Sequence, residues 1–273
     1  VGSLWNQVKF ISKLVSALLT FVAGVALAGH QAGLWTFSSG WRFNAAAVGV
    51  TLVFLASVAS AVRQWRAEAA ERTLRYVRQG TGHALNALLF RVQDETGIDM
   101  RDLGATAYVV TRTGVWPRRR ERLEPVARVR FRSVNACCVD WRPGVGVVGR
   151  CVALARLLVV DVGDLDRQLE GVTATEWEEL KQMEKEDGQE HELTQGMSHD
   201  EWRQARGKFS VVLATPLVRR SRTGTTVEGC VSVDVMAPDP FPDTYDLLCG
   251  EAVRHAAAAA AREIGSVLAA ASG

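Results

Sequence analysis

Proline and cysteine are both scarce, with seven and five copies in 273 residues. So few exclude a collagen-like chain and a disulfide scaffold. An excess of one charge is also lacking. Thirty-two basic residues face thirty acidic ones, for a net charge of +2. That balance gives no general attraction for nucleic acid, so none is expected as a partner. The sequence holds no GxxxxGK[ST], HExxH or GxSxG pattern and no EF-hand loop, which removes the commonest phosphate, zinc-protease, hydrolase and calcium sites. The cysteines (Cys137, Cys138, Cys151, Cys230 and Cys249) are odd in number and none has CxxC spacing. Reduced thiols and no metal are the expectation. Hydrophobic residues make up 48% of the chain and charged ones 23%, which is too apolar for a disordered chain.

Charge is missing above all from the first 62 residues, where only Lys9, Lys13 and Arg42 carry it. Two uncharged runs, about 14–34 and 43–62, are long enough to cross a bilayer as helices. Trp5, Trp35 and Trp41 flank them, as interfacial aromatics do. Small residues from Ala45 to Ala61 in the second run favour close helix approach. Basic residues precede the first run and follow the second at Arg63, Arg66, Arg72, Arg75 and Arg78. The positive-inside rule then predicts a multi-pass protein of the inner (cytoplasmic) membrane with both termini cytoplasmic and the lipid bilayer as a partner. A cleaved signal peptide ending near Ala26-Leu27-Ala28 is the competing reading of the first run.

Residues 63–96 read as a linking helix, with Leu74, Val77, Thr81, Leu85, Leu88 and Val92 at spacings of three and four. After Thr96-Gly97 the period changes. Ala105–Arg112, Pro125–Phe131, Leu157–Val162, Phe209–Val218 and Val227–Val235 have strand composition. Gly144–Arg150 reads as a tight turn entering a helix. A long Ala-rich helix closes the chain from about 244 to 270. Gly163–Lys208 is a charged insertion in which Ser198 and Glu201 are spaced as a capping box.

The Gly144–Arg150 turn, Val159-Val160-Asp161, Ala214-Thr215-Pro216-Leu217, Gly229–Asp234, Phe241 and the closing helix together resemble the GAF domain. This family of small-molecule-sensing and dimerisation modules is matched in order across residues 105 to 270. The resemblance implies an α+β fold, a central antiparallel sheet flanked by helices, here preceded by two transmembrane helices and the linking helix. The domains are then a membrane hairpin at 1–62, a linking helix at 63–96 and a GAF-like cytosolic domain at 97–273 with the insertion at about 163–208. It implies a ligand pocket near Trp141, Arg150, Cys151, Asp161, Phe209 and Thr215, with the insertion as a lid. It also implies a homodimer through the linking and C-terminal helices.

The function that follows is a membrane-anchored sensor. It would bind an unidentified small molecule and signal through helix packing to an unidentified output protein. One alternative is a two-span effector that perturbs the membrane when ligand binds. Another is a GAF-type methionine sulfoxide reductase, but Val148 stands where that branch places a cysteine in the Gly-rich turn. No catalytic motif points to an enzyme, and no cofactor is identified.

Overall fold

The computed structural model describes residues 29, 40–113, 120–132, 139–186, 192–221, 224–236 and 243–272. The chain divides into two units, Val1–Arg75 and Tyr76–Gly273.

A single helix α1 runs from Gly40 to Thr96. Its part in the first unit is described mainly by exposed, local contacts. Arg75 pairs with Glu71 at 2.8 Å, and Gln64 donates to Glu68 at 3.1 Å. Exposed pairs of this kind add only a few tenths of a kcal/mol, about 0.3–0.5 each.

The expected pair of transmembrane helices requires correction. Among the described residues no helix is long and apolar enough to cross a membrane. The expected second span, 43–62, is not a helix of its own. It opens α1, which continues without a break through Arg63, Arg66, Glu68, Glu71, Arg72, Arg75 and Arg78. The expected first span, 14–34, lies outside the described residues apart from Gly29. The same finding overturns the multi-pass inner-membrane placement. Membrane anchoring is not shown, and the membrane-effector alternative, which rests on the spans, goes no further.

In the second unit, α1 is followed by β1 (Leu103–Thr113), β2 (Arg120–Arg130), α2 (Gly146–Leu154), β3 (Leu158–Asp161), α3 (Val162–Gln168), α4 (Ala174–Glu186), α5 (His199–Ala205), β4 (Phe209–Ser221), β5 (Gly224–Met236), α6 (Thr244–Cys249) and α7 (Glu251–Ser272). The five strands form one sheet in the order β2-β1-β5-β4-β3, and every pairing is antiparallel.

Strand alternation assigns each side chain to a face. Leu103, Ala105 and Ala107 of β1 lie opposite Val235, Val233 and Val231 of β5. The last three in turn face Val211, Leu213 and Thr215 of β4. This apolar face packs against α1 and α7. Val77, Ala84, Leu85, Leu88, Leu89 and Val92 of α1 are buried, and so are Val253, Ala257, Ala260, Ala261 and Ile264 of α7. The alanines of α7 bring its backbone close to the sheet, while spacings of three and four keep one stripe inward. Leu74, expected in the same stripe, is exposed.

The opposite face holds a second apolar cluster. Val147, Val148, Cys151 and Val152 of α2 lie over Tyr108, Val212, Ala214 and Cys230. Beside it the insertion builds a small core of its own. Trp177 and Trp202 stack with ring centroids 5.0 Å apart, joined by Val139, Val145, Leu169 and Met197. Both indoles are satisfied: Trp177 Nε1 donates to the Met197 carbonyl at 3.1 Å and Trp202 Nε1 to Asp166 Oδ1 at 3.0 Å. The capping box expected at Ser198 is present. Its hydroxyl accepts from the Glu201 N–H at 3.2 Å and Glu201 Oε2 accepts from the Ser198 N–H at 2.8 Å. Met183 of α4 is exposed.

Candidate functional site

The face of the sheet that looks away from α1 and α7 carries a cluster of polar residues. Register makes this so. Gly104 of β1 lies between Arg130 of β2 and Asp234 of β5, and Thr106 between Arg128 and Ser232. Alternation then sets Arg128, Arg130, Ser232, Asp234 and Tyr108 on one face with Val212 of β4.

Arg130 and Asp234 meet across Gly104. Arg130 Nη2 donates to Asp234 Oδ2 at 2.5 Å, and the two side chains are 11% and 6% exposed. Glycine is required between them. A Cβ at Gly104 would stand 2.5 Å from Arg130 Nε and 2.6 Å from Asp234 Oδ2. The guanidinium also lies 5.0 Å over the Phe209 ring, a cation–π arrangement. Burial pushes the Asp234 carboxyl above its ordinary range, and the Arg130 and Arg128 charges pull it back only in part. Burial likewise pushes Tyr108 up to about 12 despite the neighbouring Arg128.

A cavity of about 180 Å³ lies on this face. Arg128, Arg130 and Asp234 form its polar floor, with Phe209, Val212 and Trp141 beside them. Gly146, Val147 and Val148 from the opening turn of α2 supply one wall, and Gln195 and Met197 of the insertion another. The insertion is tied to α2 by backbone, since the Gly146 N–H donates to the Gln195 carbonyl at 2.7 Å. Gly146 has φ of +66°, and a Cβ there would stand 2.3 Å from the Trp141 ring.

Two lining residues each hold a buried polar atom that has no hydrogen-bond partner among the described residues and presents almost no surface to the cavity. One is Arg130 Nε and the other is Gln195 Oε1, both buried. Gln195 is 4% exposed and its Nε2 donates to the Glu192 carbonyl, which orients the amide with its oxygen unbonded. Such groups each cost about 1–3 kcal/mol when left unsatisfied.

Of the residues expected in the pocket, Trp141 and Phe209 line this cavity. Arg150 and Cys151 do not. Both are buried in α2, one turn beyond the residues that form the wall. Asp161 ends β3 and caps α3, accepting the Asp164 N–H at 2.7 Å. Thr215 sits on the opposite face of the sheet, across from Val231. The residues missed are Tyr108, Arg128, Arg130, Gln195, Ser232 and Asp234. The signal for the arginines was present as alternation in β2, but its partners lie more than a hundred residues away.

The thiols offer little chemistry. Cys151 and Cys230 are fully buried. Cys230 is held above its ordinary value by its hydrogen bond with Cys151 and by burial, the reverse of what a nucleophile needs. Cys137, Cys138 and His191 lie outside the described residues. Among those described, no group of three His, Cys, Asp or Glu side chains is arranged to hold a metal ion.

No family model and no curated protein matches this chain. Solved structures resemble it only distantly, among them these two. One is the NreA protein of Staphylococcus aureus mutated in its nitrate-binding site, at 15% identity over 58% of this chain and 86% of that one, with a TM-score of 0.32. The other is hypothetical protein SA1058 from S. aureus, at 17% identity over 56% of this chain and 94% of that one, with a TM-score of 0.28. Likenesses this weak carry no argument about what this chain binds.

Proposed function

We propose that Tyr76–Gly273 is a GAF-like regulatory module that binds a small molecule in the cavity between α2, the insertion and the polar face of the sheet. The observation that carries this reading is the cavity itself, about 180 Å³, with apolar walls and the polar residues Arg130, Gln195, Ser232 and Asp234 lining it. A mostly apolar cavity with a few convergent polar groups is the usual form of a ligand pocket. A cavity engineered to about 150 Å³ accepts benzene, so this one suits a ligand of one ring and a small substituent.

The reading includes an output. A ligand touching both sheet and insertion would favour one packing of the domain, and α1 and α7 cover the other side of the same sheet. The GAF resemblance extends this to a homodimer through those helices, and exposed Phe90 on α1 supports it. Size-exclusion chromatography with light scattering on the full chain measures the mass directly.

Binding itself is tested by native mass spectrometry of the full chain purified from a bacterial host, alongside Val148→Trp, which fills the cavity. A retained small-molecule mass that vanishes in the variant supports the proposal. A retained mass that persists in the variant, or a clean apo mass with no melting shift across a metabolite library, overturns it.

A further inference from the structure

The geometry points to a ligand class: we infer that the cavity accepts an uncharged ring compound bearing one O–H or N–H donor, of the phenol or azole kind, with that donor set on Asp234 Oδ1. This rests on the reading above that the cavity binds a ligand, and it adds the charge and the anchoring group of that ligand.

The charge of the site decides the first point. Only Arg128, Arg130 and Asp234 among the lining residues carry formal charge. Arg128 is exposed, so water solvates its guanidinium. Arg130 and Asp234 are largely buried and cancel each other through the contact of Nη2 with Oδ2 at 2.5 Å. The interior of the site is thus neutral. A carboxylate or an ammonium entering it would shed its hydration and meet no unmatched countercharge, which is costly. An uncharged ligand escapes that cost.

The anchoring group follows from how the pair is made. Arg130 engages Asp234 through Oδ2 alone, and no other hydrogen bond to this carboxylate is made among the described residues. Oδ1 therefore keeps its lone pairs. Arg130 Nε and Gln195 Oε1 are sealed by the atoms around them, whereas Asp234 Oδ1 is not, and Asp234 lines the cavity. A carboxylate oxygen can only accept, so the ligand must bring the donor. An O–H or N–H on a carboxylate is among the stronger polar contacts. The rest of the wall suits a ring. Trp141, Val147, Val148, Met197, Phe209 and Val212 border the space, and its roughly 180 Å³ holds one ring with a hydroxyl. A simple inorganic anion such as nitrate fails on both counts, since it is charged and carries no donor.

The test is a titration of the full chain at neutral pH, followed through the methyl resonances of Val147, Val148 and Val212. The ligands are phenol, 4-methylphenol and pyrazole. Anisole and toluene keep a ring without the donor, and benzoate and benzylammonium add a charge of either sign. At least one donor-bearing ligand is expected to bind about tenfold tighter than anisole, as one hydrogen bond to a charged group supplies, and tighter than either charged compound. Replacing the pair together, as Arg130→Met with Asp234→Leu, leaves no buried charge behind, a change that cores tolerate. In that variant phenol and anisole should bind alike. Anisole equal to every donor-bearing ligand in the unaltered chain overturns the inference, and so does tighter binding of benzoate or benzylammonium. A preference for phenol that survives in the double variant overturns it too. The ligand series in the unaltered chain decides the matter even if the variant does not fold. Toluene separates the two levels. If toluene shifts the methyls and no donor-bearing ligand does better, only the donor assignment falls. If no ring compound moves them, the cavity-binding reading falls with it.

Discussion

Adding one methyl group at Gly104 should cost the domain more than most truncations on its surface. The new Cβ would stand 2.5 Å from Arg130 Nε, 2.6 Å from Asp234 Oδ2 and 3.2 Å from Arg130 Nη2. Ordinary contact begins near 3.4 Å, so the ion pair must part or tilt. Removing one partner of a buried pair costs about 3–5 kcal/mol, which bounds the loss from forcing both apart. Replacing glycine in a strand returns about 0.5–1 kcal/mol through the unfolded chain. Because Gly104 lacks the positive φ that penalises side chains, no backbone strain is added. The net expectation is a loss of about 2–4 kcal/mol. Urea unfolding followed by tryptophan fluorescence measures it as a lower midpoint at unchanged slope. The control is Gly104→Ala in a chain already carrying Arg130→Ala and Asp234→Ala, where the methyl enters the space the pair occupied. There the penalty should vanish or reverse. An equal penalty in both backgrounds would refute the idea that glycine is there to let the pair cross β1.

Tyr108 should remain neutral in the folded chain until about pH 12. Its folded value is raised above the unfolded value of about 10, so the stability it contributes is present below pH 10 and is lost as pH climbs from there through the folded value. Tyr108→Phe should remove that part of the alkaline loss, which stability curves from pH 9 to 12 will reveal. Glu201 runs the other way. Burial raises it, but Arg142 and Ser198 outweigh burial and hold it below the ordinary carboxylate range. Its stabilising effect is present above the unfolded value and fades as pH falls through the folded one, so Glu201→Gln should flatten acid unfolding. Ser198→Ala should cost about 0.5–2 kcal/mol through loss of the cap, read as a lower urea midpoint. Gly146→Ala meets both a left-handed backbone and the Trp141 ring. It should quench or shift Trp141 fluorescence and weaken any cavity ligand, and an unaltered spectrum would count against this packing.

The strands and the closing helix were readable because their signals are local. Pro125–Phe131 alternates within seven residues, and α7 announces itself by its alanines. Trp141 and Phe209 stood out as aromatics beside turns. The cavity floor was not legible, because Arg130, Gly104 and Asp234 come together only through register across three strands. Arg128 and Arg130 read as residues of a solvated strand edge. Gln195 was hidden for another reason: it sits in a loop at φ of +50°, and no sequence period governs such a position. Arg150 and Cys151 were expected one helical turn too far along α2, and Thr215 on the wrong face of β4. The uncharged run at 43–62 misled differently. Composition alone made it a separate span, whereas the helix that contains it runs on into charged residues.

The outer strands of the sheet close one route of self-association. A flat, unpaired strand invites another chain to add itself. β2 does not offer this template, because Arg120, Glu121, Arg122 and Glu124 are exposed along it and Pro125 has no N–H to give. A register irregularity at Ala107/Tyr108 bends the pairing at the same point. The far border, β3, is only four residues long. Strand-by-strand growth into fibres is therefore disfavoured at both margins, and the sheet can hold the Arg130–Asp234 pair on one face without courting aggregation.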